Sequence, residues 1–276
     1  MVIANIDQSK TIAPRKNGKK IEQAFIYEVI LVNFVPQKIA LVTGGAKRIG
    51  SEISRLLVNE GWHVIIHYNS SSQEADLLAD DLGTENVSKV QANFTNEAEV
   101  KQMADQIHDL DVIKSSGGLN LIVHNASIFY PQKSTEFTWS DAEKYFAIHH
   151  HSPALLNSLL FESLKEKSGS VVGIIDTSDG KGWRDLGVYS ASKNALKQNL
   201  LSAAVEFAPF VRVNCVCPGA IMLADWEEGH EEELISKIPL GKLGNPADIA
   251  STVLFLAESN YITGQSIYVD GGWSIV

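Results

Sequence analysis

The sequence predicts an α/β fold: a doubly wound parallel sheet of about seven strands in a single domain. Three observations carry this. From residue 38 onward, short apolar runs alternate with segments of helical period. The runs are apolar at nearly every position, as strands covered on both faces require. The first run leads at once into a glycine-rich turn that opens a helix. At 276 residues and 45% apolar side chains, the chain is long enough for one substantial core and short for two.

Each element follows in order. IALV (39–42) is a short buried strand. The helix after it carries Ile49, Ile53, Leu56 and Leu57 at helical spacing and stops at Gly61. HVIIHY (63–68) is the second strand, and SSQEADLLADDLG a helix closed by Gly83. VSKVQAN (87–93) is the third strand, followed by the helix NEAEVKQMADQIHDL. LNLIVHNAS (119–127) is the fourth strand with its exit loop, and a long helix is expected over roughly 140–165. SVVGIID (170–176) precedes a helix over about 187–207. VRVNCVC is the sixth strand, PADIASTVLFLAES another helix, and QSIYVDGG the last strand. Residues 1–36 stand apart: a polar, aperiodic start expected to be partly disordered, then the strand-like AFIYEVILVNFV (24–35), ended by Pro36.

Composition narrows the function classes. With 33 acidic against 23 basic residues, a net charge of −10 argues against broad affinity for nucleic acid or anionic membrane. Much of that charge is local, as in WEEGHEEEL (226–234), which reads as a solvated helix or loop. No apolar run approaches the ~20 residues of a membrane helix, and the N-terminus lacks a signal-peptide pattern. Cys215 and Cys217 share one face of a strand, a poor geometry for a mutual disulfide; they read as reduced thiols of a cytoplasmic protein. Consecutive histidines His149, His150 and His151 point about 100° apart on a helix, so no metal site is expected.

Ligands of parallel sheets bind outside the carboxyl ends of the strands, so the residues just past each strand carry the chemistry. After the first comes TGGAKRIG (43–50), a turn suited to a pyrophosphate at a helix N-terminus; Thr43, Gly44, Lys47, Arg48, Ile49 and Gly50 are its candidate contacts. After the second, no acid precedes Glu74, where an NAD-selective site places Asp or Glu for the ribose. Tyr68, Asn69, Ser70 and Ser71 stand there instead. Arg48 is expected to reach the same place and bind a 2′-phosphate bidentately, with Lys47 a lesser contributor. The expected cofactor is therefore NADPH, with reductive chemistry. Asn93 and Phe94 follow the third strand, and Asn93 is expected to accept a hydrogen bond from the adenine amino group. Asn125, Ala126 and Ser127 follow the fourth, Asp176 the fifth, and Pro218, Gly219 and Ile221 the sixth. In VYSASKNAL, Tyr189 and Lys193 are four apart and share a helical face.

From about residue 38 to the end, the chain resembles the short-chain dehydrogenase/reductase family. The matching pieces, in the family's order, are TGGAKRIG, HNAS, YSASK, the PG after strand six, and ITGQSIYVDGG. The resemblance implies a Rossmann-type NADP-binding reductase domain over 37–276, with a substrate loop at about 220–240. It also implies that Tyr189 is the proton donor, that Lys193 holds the nicotinamide ribose and lowers the tyrosine's pKa, and that the protein is a homotetramer.

Three departures point to one subgroup. Asp176 stands where the family usually has Ser, His149 where it has a helical Asn, and Arg48 where it has a glycine. These departures, with HYNSSSQEA and NASIFYP, resemble the pteridine reductases and dihydromonapterin reductases. That resemblance implies that Ser127 touches cofactor and pterin, and that Phe129 stacks on the pterin. The substrate it implies is a small-molecule dihydropterin or dihydrofolate; because the ring nitrogen of its C=N bond is basic and a carboxylic acid is a better proton source than a hydroxyl, Asp176 and Tyr189 are expected to share proton delivery. The alternatives are a carbonyl reductase of the same family, acting for example on a 3-oxoacyl thioester, and a non-catalytic NADPH-binding sensor.

Overall fold

The computed structural model describes residues 37–178, 181–223, 229 and 231–276. The extension read in 1–36 and part of the loop at 220–240 lie outside the described residues. Seven strands, β1 (Ile39–Val42), β2 (His63–Tyr68), β3 (Val87–Gln91), β4 (Leu121–His124), β5 (Ser170–Ile174), β6 (Arg212–Pro218) and β7 (Ser266–Val269), form one sheet. Its order is β3-β2-β1-β4-β5-β6-β7 and every pairing is parallel. The order reverses between β1 and β4, which places the ligand crevice there.

Strand residues alternate between two apolar layers. Ile39 and Leu41 enter one, Ala40 and Val42 the other. Helices α1 (Arg48–Asn59) and α2 (Ser72–Leu82) bury Ile53, Leu57 and Leu78 in the second layer. Helix α3 (Glu97–Asp109) buries Val100 and Met103 in the first, and the short α4 (Asp111–Ser116) follows it. Each such side chain taken fully from water contributes roughly 1.5–3 kcal/mol. The inner strands β1, β4 and β5 are buried along their whole length because neither face meets solvent, whereas the outer β3 and β7 expose Lys89, Gln91 and Tyr268.

The long helix expected over 140–165 is broken. It consists of α5 (Trp139–Phe146), a π-helical turn (Ala147–His151), α6 (Ser152–Leu159) and α7 (Phe161–Lys165). Pro153 is the reason: it has no N–H to give to the His149 carbonyl four residues back. The backbone instead closes a wider loop, with Ser152 N–H donating to the Ala147 carbonyl. The remaining helices are α8 (Gly187–Glu206), α9 (Glu231–Ser236) and α10 (Pro246–Glu258). α8 lies over β5, where Leu200 fills the space above Gly173; a Cβ there would come within 2.2 Å of Leu200 Cδ1. The end of the acidic run read as a solvated helix or loop falls in α9, which has no buried residue.

Two of the buried histidines, His67 and His124, sit in the core beside the sheet as neutral rings. His67 Nδ1 accepts from the Gly44 N–H (3.1 Å) and its Nε2 meets the Ala92 carbonyl (3.0 Å); His124 Nε2 meets Asn157 Oδ1 (2.8 Å). Burial pulls each down to about 4, from an ordinary 6.5. A depressed folded value means that stability is complete above pH 6.5 and drains away as pH falls toward 4. At pH 5 the two rings together should cost on the order of 4 kcal/mol. Thermal melts at pH 7.5 and 5 should therefore differ by many degrees, and superimposable melts would remove these imidazoles from the account.

Candidate active site

A cleft of about 650 Å³ opens over the carboxyl ends of the strands. Its nucleotide half is built on the turn after β1. Gly44 has φ +60, and a Cβ there would lie 2.9 Å from Ala126 Cα; at Gly50 a Cβ would lie 2.1 Å from the Gly44 carbonyl oxygen. The turn is thus a cradle that side chains would fill. No side chain caps the N-terminus of α1, whose peptide dipole faces the same space. Asn125 braces the turn by donating from Nδ2 to the carbonyls of Thr43 and Gly44, both at 3.0 Å. These features fit a dinucleotide pyrophosphate.

Most residues expected at the cofactor do line the cleft: Gly44, Lys47, Arg48, Ile49 and Gly50 from the turn, Tyr68, Asn69, Ser70 and Ser71 after β2, and Asn93 and Phe94 after β3. Asn125, Ala126, Ser127, Phe129, Asp176, Tyr189, Lys193, Pro218, Gly219 and Ile221 complete it. Thr43 does not line it. Its buried hydroxyl accepts from the Asn125 and Ala126 N–H groups (2.9 and 3.0 Å) and donates to the Val123 carbonyl, tying β1 to β4.

Three of the expected contact residues have protein partners of their own in this structure. Arg48 does not turn toward Asn69–Ser71. Its guanidinium donates to the carbonyls of Met222 (3.1 Å) and Leu223 (3.3 Å), so it clasps the loop after β6. It does so from a left-handed backbone (φ +52), a position at which a glycine would be unstrained. Lys47 points the other way, into an ion pair with Glu74 in the first turn of α2. Asn93 has its amide oxygen engaged by the Thr95 N–H (3.0 Å) and hydroxyl (2.8 Å), so that oxygen caps a turn rather than facing an adenine.

The other half of the cleft lies between β5 and α8. Tyr189 and Lys193 are both buried on the inner face of α8. Tyr189 O–H donates to Asp176 Oδ2 at 2.8 Å, and Asp176 Oδ1 accepts from the Ser178 N–H at 2.7 Å. Asp176 keeps a face open to the cleft, yet surrounding protein pushes its carboxyl up; the Tyr189 and Ser178 hydrogen bonds and the Lys193 charge oppose that shift. Lys193 Nζ donates to the Ile174 carbonyl at 2.9 Å. Burial pulls its ammonium down to about 8, against the raising effect of Asp176. Phe129 meets the Tyr189 ring edge-on at 4.8 Å between centroids.

Two residues that the sequence reading did not single out close the outer end. The rings of Trp183 and Trp273 lie 4.9 Å apart and both line the cleft. Lys181, two residues before Trp183, donates to the carbonyl oxygens of Trp273 (3.1 Å) and Val276 (2.8 Å). Neither tryptophan follows a strand directly, so position alone did not mark them.

Comparison with known proteins places this architecture. The profile of the family described as Enoyl-(Acyl carrier protein) reductase matches residues 44–274, nearly the whole described fold. The chain belongs to the short-chain dehydrogenase/reductase family. Within that family it is similar to the 3-oxoacyl-[acyl-carrier-protein] reductase FabG of Staphylococcus aureus, at 31% identity over 249 residues covering 85% of this chain and 97% of that protein. It is also similar to carbonyl reductase family member 4 of Danio rerio, at 33% identity covering 87% and 99%. Among solved structures, FolM alternative dihydrofolate reductase 1 from Brucella canis, complexed with NADP, superposes with a TM-score of 0.78 at 32% identity, covering 88% of this chain and 97% of that one. The seven-stranded fold and the oxidoreductase class agree with the sequence reading; pterin specificity is left between FolM-like and FabG-like relatives.

Proposed function

We propose that this short-chain reductase binds NADPH and reduces the C=N bond of a dihydropteridine, of the dihydromonapterin, dihydrobiopterin or dihydrofolate type, to the tetrahydro form. The observation that carries the reading is the Asp176 carboxyl, hydrogen-bonded to Tyr189 at 2.8 Å where a ketone reductase has a serine hydroxyl. The similarity to a FolM reductase complexed with NADP supports it.

NADPH, when bound, supplies a hydride to the ring carbon of the C=N bond. The chain's part is to hold the reactants and move a proton. The Gly44–Gly50 turn and the α1 N-terminus receive the pyrophosphate. Lys193, cationic below about pH 8, holds the ribose and keeps a positive charge beside Asp176. The pterin ring nitrogen is basic and takes a proton as the carbon accepts hydride. A carboxyl with a raised pKa, linked to a phenol in the same cleft, delivers that proton more readily than a serine hydroxyl does. For the free enzyme, kcat/KM should therefore fall on the alkaline side, with one limb near pH 8 from Lys193.

A substrate panel followed at the NADPH absorbance tests the reading. Turnover of dihydropterins and not of 3-oxoacyl thioesters is expected. Turnover of the thioesters alone would favour the carbonyl reductase reading, which the FabG similarity supports. Binding of NADPH without turnover of either would favour the sensor.

We infer that Lys47, which lines the cleft with Asn69–Ser71, rather than Arg48, meets the 2′-phosphate. Lys47→Ala should raise the KM for NADPH about tenfold with little change for NADH, the scale of one charge-assisted hydrogen bond. Arg48→Gly should leave the cofactor ratio alone. If Arg48→Gly erases the preference and Lys47→Ala does not, the assignment is reversed. The homotetramer belongs to this proposal too. Exposed Val205 and Phe210 around the end of α8, and Tyr268 on the edge strand β7, offer apolar surface for pairing. A monomeric mass by light scattering would contradict it.

A further inference from the structure

His149 stands in the π-helical turn, is fully buried, and is absent from the reacting pair just described. Its two ring nitrogens face opposite ways. Nε2 accepts the Ile128 N–H at 3.2 Å, and a peptide N–H can only donate, so Nε2 carries no proton. A neutral ring must then carry its proton on Nδ1, which lies 2.7 Å from Ser192 Oγ and donates to it. Ser192 O–H in turn donates to the Tyr189 carbonyl at 2.7 Å. The ring is kept neutral by its burial and by the Lys193 charge nearby, which together hold it well below the ordinary imidazole value.

This sets the polarity of a fourth group. Ser127 Oγ lies 2.9 Å from the same unprotonated Nε2 and 3.3 Å from the Ile128 carbonyl. Both neighbours are acceptors, Nε2 sharing its one lone pair between the Ile128 N–H and this hydroxyl, so the one serine hydrogen is committed to the protein. What Ser127 turns to the cleft is lone pairs. We propose that His149 is a positioning residue that fixes the Ser127 hydroxyl as a hydrogen-bond acceptor toward the cleft, so that the site takes a heterocycle presenting N–H or NH2 at that point and discriminates against one presenting a carbonyl oxygen there. The ligand class rests on the dihydropteridine reading; the polarity of the hydroxyl does not. An asparagine at this position has a shorter side chain, without the two opposed ring nitrogens that span from Ser192 to Ser127.

Two measurements separate the parts. In the full chain labelled with 15N-histidine, the long-range proton–nitrogen correlation lost in His149→Gln should show a neutral Nδ1–H ring unchanged from pH 5.5 to 8.5. An Nε2–H ring or an imidazolium overturns the proposal. In competition with substrate, 2-amino-4-hydroxypteridine should bind at least about tenfold more tightly than 2,4-dihydroxypteridine, the cost of facing an acceptor with an acceptor. The ratio should collapse toward one in Ser127→Ala, an exposed position where folding is not at stake, and in His149→Asn. Equal binding of both pteridines to the wild type overturns the proposal. Binding of neither, with the Nδ1–H ring observed, overturns the dihydropteridine reading and the ligand class with it, while the polarity of Ser127 stands.

Discussion

Asp176→Asn should lose about 10²–10⁴-fold in pterin turnover, the range for removing a general acid, while NADPH affinity stays within about twofold. The replacement keeps the carboxamide oxygen for the Ser178 N–H, which Oδ1 now accepts at 2.7 Å, so the loop after β5 is not disturbed. At the other oxygen, an N–H would face the Tyr189 hydroxyl, whose own hydrogen must then turn elsewhere. Among the described residues of the cleft, no other carboxyl would hold a proton at that end. Stability should move in the opposite direction. A carboxyl whose folded pKa is raised contributes stability below its unfolded value, and that contribution is lost as pH rises through the folded one. At pH 8 the neutral amide escapes that penalty, so Tm should rise while activity falls. Asp176→Ser should gain weak ketone reduction. If Asp176→Asn reduces dihydropterins at the wild-type rate, the carboxyl is not the acid and the carbonyl reductase reading takes its place.

The hydrogen-bonded Asp176 and Tyr189 were legible as neighbours because both sit where local rules point: Asp176 just past β5, and Tyr189 and Lys193 one turn apart on α8. The strand pattern was legible for a similar reason. Burial on both faces writes an apolar residue at nearly every position of β1, β2 and β5. What sequence spacing does not carry is the direction of a long side chain. TGGAKRIG marked a cation at the mouth of the site, but where the Arg48 guanidinium goes depends on the Met222 and Leu223 carbonyls, some 175 residues away. His149 shows the same limit: its partners Ser127 and Ser192 lie 22 and 43 residues off. Trp183 and Trp273 meet only because the chain returns past β7 to the same rim. The break at the π-helical turn is a different case. Pro153 stands in plain view in HHHSPALL, and the missing N–H that it implies is local chemistry.

The glycines of the turn allow a test in which one chemical change has three different outcomes. Gly50→Ala should abolish tight cofactor binding, weakening the NADPH Kd by about 10²-fold or more, and should also lower Tm. The added methyl would stand 2.1 Å from the Gly44 carbonyl oxygen and 2.6 Å from Asn125 Nδ2. Neither neighbour is a flexible side-chain end that can swing aside. The carbonyl belongs to the pyrophosphate turn itself, and the amide is the brace that holds it. Overpacking of this kind usually costs about 1–3 kcal/mol, and more where backbone must move. Here the backbone that moves is the binding site. Gly61→Ala meets nothing within 4 Å, but the residue sits at φ +80, so it should cost about 1 kcal/mol in stability without touching the Kd. Gly187→Ala, at the start of α8 with its nearest neighbour 3.9 Å away and no positive φ, should leave Kd unchanged and raise Tm slightly. Isothermal titration with NADPH and a thermal melt on the three variants read both quantities. If Gly50→Ala binds NADPH like the wild type, the cradle between β1 and β4 is not where the pyrophosphate sits.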